Sequence, residues 1–206
     1  MTFNQAASLP QVGLLALQGL HYKGSISQGD RLLINGAGGG VGTLALQYAK
    51  SLGAEVTCVD RSEKFDMLRT LGADHLVDYT KEDYTRNGKQ YDRILDVQAH
   101  RSVFDYKRAL KPGGTFAMIG GSMGGGLLLQ VIFLGPMISR FANKKVGLMG
   151  YKPNRSDLDR LTRLFEEGKI VPVIDKCYPL DGVADAFRYF GTGRVKGKIV
   201  ISVTPG

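Results

Sequence analysis

The sequence predicts an α/β protein built on a Rossmann-type, doubly wound parallel sheet. From Arg31 onward, short strand-like runs alternate with helical periods, which is typical of a parallel sheet covered by helices on both faces. The first run, residues 31–35 (RLLIN), leads directly into the glycine-rich segment 36–42 (GAGGGVG). An amphipathic period follows from Val41 to Leu52. A strand, a glycine-rich turn and a helix in this order favour phosphate binding at the start of the helix.

The same alternation continues to the end of the chain. Further strands are predicted at Glu55–Val59, His75–Tyr79, Asp92–Val97, Thr115–Ile119, Val146–Met149, Ile170–Ile174 and Lys198–Val203. Helices are predicted at Leu9–Leu20, after Ser62, at Ser102–Leu110, at Leu127–Ile138, after a capping box formed by Ser156 and Asp159, and at Asp181–Phe190.

Composition and charge narrow the class of protein. The net charge is +8 over 206 residues, but the basic residues are dispersed, which disfavours nucleic-acid binding as the main role. Cys58 and Cys177 form no CxxC pair, so neither a disulfide framework nor a metal site is predicted. Residues 127–138 are strongly apolar, yet about 12 residues fall short of the ~20 that a bilayer requires. We therefore expect no membrane span, no secretory signal and a cytoplasmic location.

The glycine segment can be matched to the dinucleotide pattern in two ways. One is Ala37-x-Gly39-x-x-Gly42, with alanine in the first position, and the other is Gly40-x-Gly42-x-x-Ala45, which starts further into the helix. Asp60 ends the second strand, where a carboxylate can accept hydrogen bonds from an adenosine ribose. The alternative is that it only serves the following turn.

A methyltransferase that uses S-adenosylmethionine is an alternative at this point. Such enzymes also combine a glycine-rich loop, an acidic end to the second strand and a segment like residues 110–114 (LKPGG). They usually place an acidic residue just before the glycines, whereas Ile34 and Asn35 stand there in this chain. The alternative is therefore disfavoured but stays open.

Several motifs in order resemble the medium-chain dehydrogenase/reductases over essentially the whole chain, particularly the quinone oxidoreductase-like and NAD(P)-dependent, zinc-independent alcohol dehydrogenase-like branch. They are residues 7–10 (ASLP), 35–42 (NGAGGGVG), 71–74 (LGAD), 77–79 (VDY), 109–114 (ALKPGG) and 197–200 (GKIV).

The resemblance implies a domain organisation. Residues 1–24 would be a connecting helix, residues 25–175 the dinucleotide-binding domain, and residues 176–206 a C-terminal stretch that joins the catalytic domain in relatives. The bulk of the GroES-like catalytic domain of the family has no counterpart here, so no catalytic residue can be assigned. His21, His75 and His100 form no metal-spaced cluster, and no metal site is predicted.

The resemblance also implies cofactor contacts. Gly39, Gly40 and Val41 would contact the pyrophosphate, and Gly42 would let the helix pack closely. Lys64 matches a lysine that NADPH-preferring relatives place near the 2′-phosphate, and Arg61 lies beside it. The charge of Asp60 suits NADH instead. NADPH is the predicted cofactor, with NADH possible.

Five further positions complete the predicted site. The resemblance places Tyr79 on the adenosine side and Val97 in the wall of the adenine pocket. Gly120 and Gly121 would form a turn near the nicotinamide, and Lys198 would approach the same end of the cofactor.

The complete protein is thus expected to transfer hydride to or from a quinone, an enone or a small carbonyl or alcohol. A cofactor-binding module without catalysis is the main alternative. A homodimer is expected, because relatives often pair through the edge of the sixth strand.

Overall fold

A six-stranded parallel sheet organises residues 31–148 in the computed structural model, which describes residues 1–121 and 126–203. Its strand order is β3-β2-β1-β4-β5-β6, which confirms the Rossmann-type doubly wound fold. The order changes direction between β1 and β4, and ligands bind at such a switch point, beyond the carboxyl ends of the strands. The strands are β1 (Arg31–Asn35), β2 (Glu55–Asp60), β3 (His75–Asp78), β4 (Tyr91–Asp96), β5 (Leu110–Met118) and β6 (Lys145–Leu148).

Helices cover both faces of this sheet, because side chains along each strand alternate between its two sides. Leu32 and Ile34 of β1 belong to the core on one face, whereas Leu33 belongs to the core on the other. On the second face, the rings of Tyr106 and Phe116 stack with centroids 4.1 Å apart. The helices are α1 (Phe3–Ser8), α2 (Pro10–Leu20), α3 (Gly40–Ser51), α4 (Phe65–Thr70), α5 (Val103–Ala109), α6 (Gly126–Phe141), α7 (Arg155–Glu166) and α8 (Val183–Gly191).

The apolar segment near residue 130 is a helix exposed on one side. In α6, Val131 and Ile138 are buried, whereas Phe133 and Phe141 are exposed. None of the helices in residues 1–121 or 126–203 has the length and apolar character needed to cross a membrane.

A small C-terminal unit follows the main sheet. Strands β7 (Ile174–Pro179) and β8 (Lys198–Ser202) pair in parallel as a separate two-stranded sheet, and α8 connects them. The Gly197 N–H donates to the Gly38 carbonyl over 2.8 Å, which joins this unit to the glycine-rich turn.

Two local predictions were wrong. The predicted strand at Ile170–Ile174 is irregular up to Val173, because the Val171 backbone bonds to both polar atoms of the Gln47 side-chain amide on α3 instead of a neighbouring strand. The N-cap of α7 is Asn154, whose side chain accepts from the Asp157 N–H over 2.9 Å, so the predicted Ser156 capping box is not formed.

Candidate functional site

The glycine-rich turn brings β1 and α3 into close contact. Gly36 adopts a φ of +78°, a left-handed conformation that glycine adopts without a steric penalty. Its N–H and that of Ala37 donate to the Val59 carbonyl at 3.1 and 3.2 Å, which ties the turn to β2. A Cβ on Gly42 would lie 2.5 Å from the Cα of Ala37. Only glycine therefore lets the first turn of α3 pack against this loop.

The N-terminus of α3 is suited to an anion. Gly39 is its N-cap and has no side chain that could cap the helix. Within the described residues, no acceptor is bonded to the N–H groups of Val41 and Gly42. The Gly40 N–H lies next to the bridge between Gly39 and Gly197. Free first-turn amides and the helix dipole attract phosphate groups. The Lys198 side chain packs over the same turn, since a Cβ on Gly40 would lie 2.7 Å from its Cδ atom.

Asp60 at the end of β2 is engaged on both of its oxygens. Oδ2 accepts from the Gly38 N–H over 2.7 Å, and Oδ1 accepts from the Arg61 N–H over 2.9 Å. The Lys64 ammonium lies 3.2 Å from Oδ1. Both Asp60 and Lys64 are more than nine-tenths buried. The carboxylate therefore holds the glycine-rich turn, and Lys64 compensates its charge.

Arg61 and Tyr79 form a second, exposed pair beside this one. Arg61 Nε donates to the Tyr79 hydroxyl over 2.9 Å, which joins the ends of β2 and β3. This hydrogen bond is the main cause that raises the pKa of Arg61 above its usual value. The pair presents a cationic group and a phenol to solvent next to Asp60.

The end of β4 carries a buried carboxylate that sequence reasoning missed. Asp96 Oδ1 accepts from Asn35 Nδ2 over 2.7 Å and from the Gln98 N–H over 3.0 Å. Burial is the largest influence on this group and raises the pKa of Asp96 to about 6, although hydrogen bonds from Tyr106, Asn35 and Gln98 oppose it. An acidic residue that ends a strand at the switch point is the signal that could have identified it.

The loop after β4 lies against the turn after β5. The Ala99 N–H donates to the Gly120 carbonyl over 3.1 Å. A Cβ on Gly120 would lie 2.8 Å from the Val97 carbonyl oxygen, and one on Gly121 would collide with that of Ala99. These small residues allow the two loops to meet beside the switch point.

The structure thus arranges the twelve predicted cofactor positions along the carboxyl side of the sheet. Lys198 reaches this side from the C-terminal unit. Each of the three histidines bonds to a neighbouring group: His21 to Tyr48, His75 to Glu55, and His100, in the loop after β4, to the Gln98 carbonyl. The described residues contain no group of three or more His, Cys, Asp or Glu side chains placed to hold a metal.

Comparisons with known proteins show which family the chain is similar to. The family model described as "Zinc-binding dehydrogenase" matches residues 71–201. The chain is 33% identical to a 2-methylene-furan-3-one reductase of Solanum lycopersicum, over 100% of this chain and 48% of that protein. It is 32% identical to the mitochondrial NAD(P)H oxidoreductase RTN4IP1 of Mus musculus, over 98% of this chain and 56% of that protein.

A solved structure of similar fold is the quinone oxidoreductase from Coxiella burnetii. It superposes with a TM-score of 0.83 at 28% identity and covers 99% of this chain and 62% of that one. The chain therefore spans roughly half to three-fifths of the length of these relatives.

Proposed function

Because the chain belongs to the zinc-binding dehydrogenase family, within the medium-chain dehydrogenase/reductases, we propose that it is the NAD(P)H-binding domain of an oxidoreductase. The complete protein would transfer hydride to or from a quinone, an enone or a small carbonyl or alcohol. The observation that carries the proposal is the uncapped N-terminus of α3, which lies in a glycine-rich turn beside the β1–β4 switch point. Family membership decides against the methyltransferase alternative.

The residues present fit a dinucleotide. Gly39, Gly40 and Val41 would contact the pyrophosphate, and Gly39 keeps the approach free of side chains. The free amides of Val41 and Gly42 would donate to it. When bound, NAD(P)H supplies the hydride, and the protein supplies orientation and polarity. The described residues do not fit a zinc centre, so we assign no metal ligand and no step through a metal.

NADPH is the proposed cofactor, and NADH is the alternative. The expected repulsion between Asp60 and a 2′-phosphate is reduced, because Lys64 pairs with this carboxylate and two backbone amides donate to it. Arg61 is exposed, with its Nε anchored to Tyr79. We propose that the Arg61 guanidinium binds the 2′-phosphate and that Lys64 acts mainly by compensating Asp60.

The remaining cofactor assignments follow the loops of the carboxyl edge. Tyr79 would support Arg61 on the adenosine side, and Val97 would form part of the adenine wall. Gly120 and Gly121 would leave room near the nicotinamide, and Lys198 would extend along the turn over Gly40.

Catalysis and assembly would require surfaces that this chain leaves exposed. We propose that residues 176–206 contact a catalytic domain, since Phe187 and Phe190 of α8 are exposed.

A homodimer through the edge of β6 is supported by the exposed apolar face of α6, which includes Phe133 and Met137. Analytical ultracentrifugation tests the dimer, which a monomeric mass would contradict.

A dinucleotide-binding module without catalysis is the alternative function. The cytoplasmic location stays a prediction.

Calorimetric titration of this chain with NADPH, NADH and S-adenosylmethionine tests the proposal. We expect NADPH and NADH to bind and NADPH to bind more tightly. Binding of S-adenosylmethionine alone, or of none of the three, would contradict the function.

Two substitutions test the cofactor preference. Arg61→Ala should weaken NADPH binding about tenfold, because a charge-assisted contact is lost, and should change NADH binding little. Lys64→Ala should also disfavour NADPH, since it leaves the Asp60 charge uncompensated. Lys169→Ala, beyond the C-terminal end of α7, is the matched control. Unchanged NADPH affinity in both test variants would remove the proposed 2′-phosphate site.

A further inference from the structure

Asp96 connects the ends of three neighbouring strands. It ends β4 with its side chain fully buried. Its Oδ1 accepts from the Asn35 side chain at the end of β1. Its backbone carbonyl accepts from the N–H of Ile119, just after β5, over 2.8 Å. A single residue thus joins both sides of the switch point where a dinucleotide would cross.

The same carboxylate supports the glycine-rich turn through Gln98. Asp96 Oδ1 accepts from the Gln98 N–H, and Asn35 Nδ2 also donates to the Gln98 carbonyl over 3.2 Å. A Cβ on Gly36 would lie 3.0 Å from Cγ of Gln98, so this side chain packs against the start of the turn. Loss of the carboxylate would therefore loosen the loop that borders the phosphate-binding turn.

The other carboxylate oxygen lies among buried polar groups. Within the described residues, Asp96 Oδ2 and the Tyr84 hydroxyl are buried and make no hydrogen bond of ordinary geometry, and the charge of Asp96 contributes to raising the pKa of Tyr84. The Tyr106 hydroxyl stabilises the ionised carboxylate and accepts from the N–H groups of His100 and Arg101, each at 3.3 Å.

The groups around Asp96 come from several elements. Tyr106 belongs to α5, Tyr84 to the segment between β3 and β4, and Asn35 to β1. His100 and Arg101 belong to the loop after β4, and His100 favours the ionised form. The charged state has a high cost in this place, because burial is the dominant influence and raises the pKa of Asp96 to about 6.

We propose that Asp96 is a positioning residue for the dinucleotide site and that binding of the anionic cofactor favours its protonated form. The proposal rests on the proposed function. A bound pyrophosphate adds negative charge beside the loop that Asp96 holds, and this charge disfavours ionisation of the buried carboxylate. The proton comes from solvent and resides on Oδ2, while Oδ1 keeps its bonds to Asn35 and Gln98. Cofactor binding would then take up a fraction of a proton near pH 6 to 7.

Asp96→Asn and Asp96→Ala separate positioning from protonation. The asparagine keeps an oxygen for the Asn35 and Gln98 donors but cannot titrate, whereas alanine removes the acceptor. Tyr91→Phe is the control, because it changes another buried polar side chain at the opposite end of β4. NADPH affinity and proton uptake are measured calorimetrically on the full chain between pH 5.5 and 8.5, in two buffers of different ionisation enthalpy.

Asp96→Ala should bind NADPH roughly tenfold more weakly than the wild type at pH 6, because hydrogen bonds to a key loop are lost. Asp96→Asn should bind within about threefold of the wild type there and should lack the proton uptake that the wild type shows. Tyr91→Phe should match the wild type in both respects.

Two outcomes overturn the inference alone. One is wild-type affinity in a folded Asp96→Ala variant, and the other is wild-type proton uptake in Asp96→Asn. The asparagine variant decides the protonation if the alanine variant fails to fold. Failure of the wild type itself to bind NADPH would contradict the proposed function, and this inference with it.

Discussion

The two parallel sheets of this chain differ in how completely they are covered. Phe116 in the main sheet is 0% exposed, whereas Phe187 and Phe190 of α8, in the C-terminal unit, are 71% and 65% exposed. Both regions have apolar residues at the spacing of their secondary structure. The difference is that helices pack on both faces of the main sheet, while the outer face of α8 has no such cover within the described residues.

The comparison shows that an amphipathic pattern predicts an element but not its partner. Val183, Ala186, Phe187 and Phe190 follow the i, i+3, i+4, i+7 spacing of one helix face. Of these four residues, Ala186 is buried and the two phenylalanines are exposed. A two-stranded sheet is marginally stable by itself, so the C-terminal unit depends on its contacts with Gly38 and α1.

Alanine substitution of one phenylalanine in each region should show the largest difference in stability between the main sheet and the C-terminal unit. Phe116→Ala removes a fully buried ring and should lower the free energy of unfolding by about 3 to 5 kcal/mol. Phe187→Ala should change it by less than about 0.5 kcal/mol. Urea denaturation followed by circular dichroism measures both. Equal losses would show that α8 is covered in solution.

Glycine substitutions compare the close packing of the main sheet with that of the C-terminal unit. Gly42→Ala places a methyl group against the backbone of Gly36 and Ala37, and we expect a loss of about 2 to 3 kcal/mol in stability together with weakened NADPH binding. In Gly191→Ala, at the end of α8, the new methyl group meets no atom within 4 Å among the described residues. That control should stay within about 0.5 kcal/mol of the wild type. Thermal unfolding and NADPH titration check both variants, and a tolerated Gly42→Ala would contradict the close-packing argument.

The pH dependence of stability reports on the buried end of the main sheet. The pKa of Asp96 is raised from 3.8 to about 6 in the folded chain, so its contribution to stability is complete well below pH 4 and is lost as pH rises through 6. Asp96→Asn lacks this contribution. The unfolding free energy of the wild type minus that of Asp96→Asn should therefore fall by about 2 kcal/mol between pH 4.5 and 7. Urea denaturation of both proteins at each pH measures the difference, and a constant difference would show that Asp96 is not a buried, titrating carboxyl.

The sequence alone was sufficient for features that depend on neighbouring residues. The strand at Arg31–Asn35 was predicted with its observed limits, and the glycine-rich turn and α3 follow it as expected. Local patterns were insufficient where a distant partner decides the conformation. Val171 was predicted in a strand, yet it bonds to Gln47, which lies 124 positions earlier in the chain.

The residues of the candidate site also differ in whether neighbouring residues or distant partners determine them. Sequence and family motifs identified the segments that line the carboxyl edge, because parallel strands place their ends together. Only the tertiary structure showed that Asp60 is held by Gly38 and Lys64, and that Asp96 meets Asn35 across 61 positions. Hydrogen bonds and burial at such distances depend on the packing of the whole sheet, and they decide which loop each carboxylate holds.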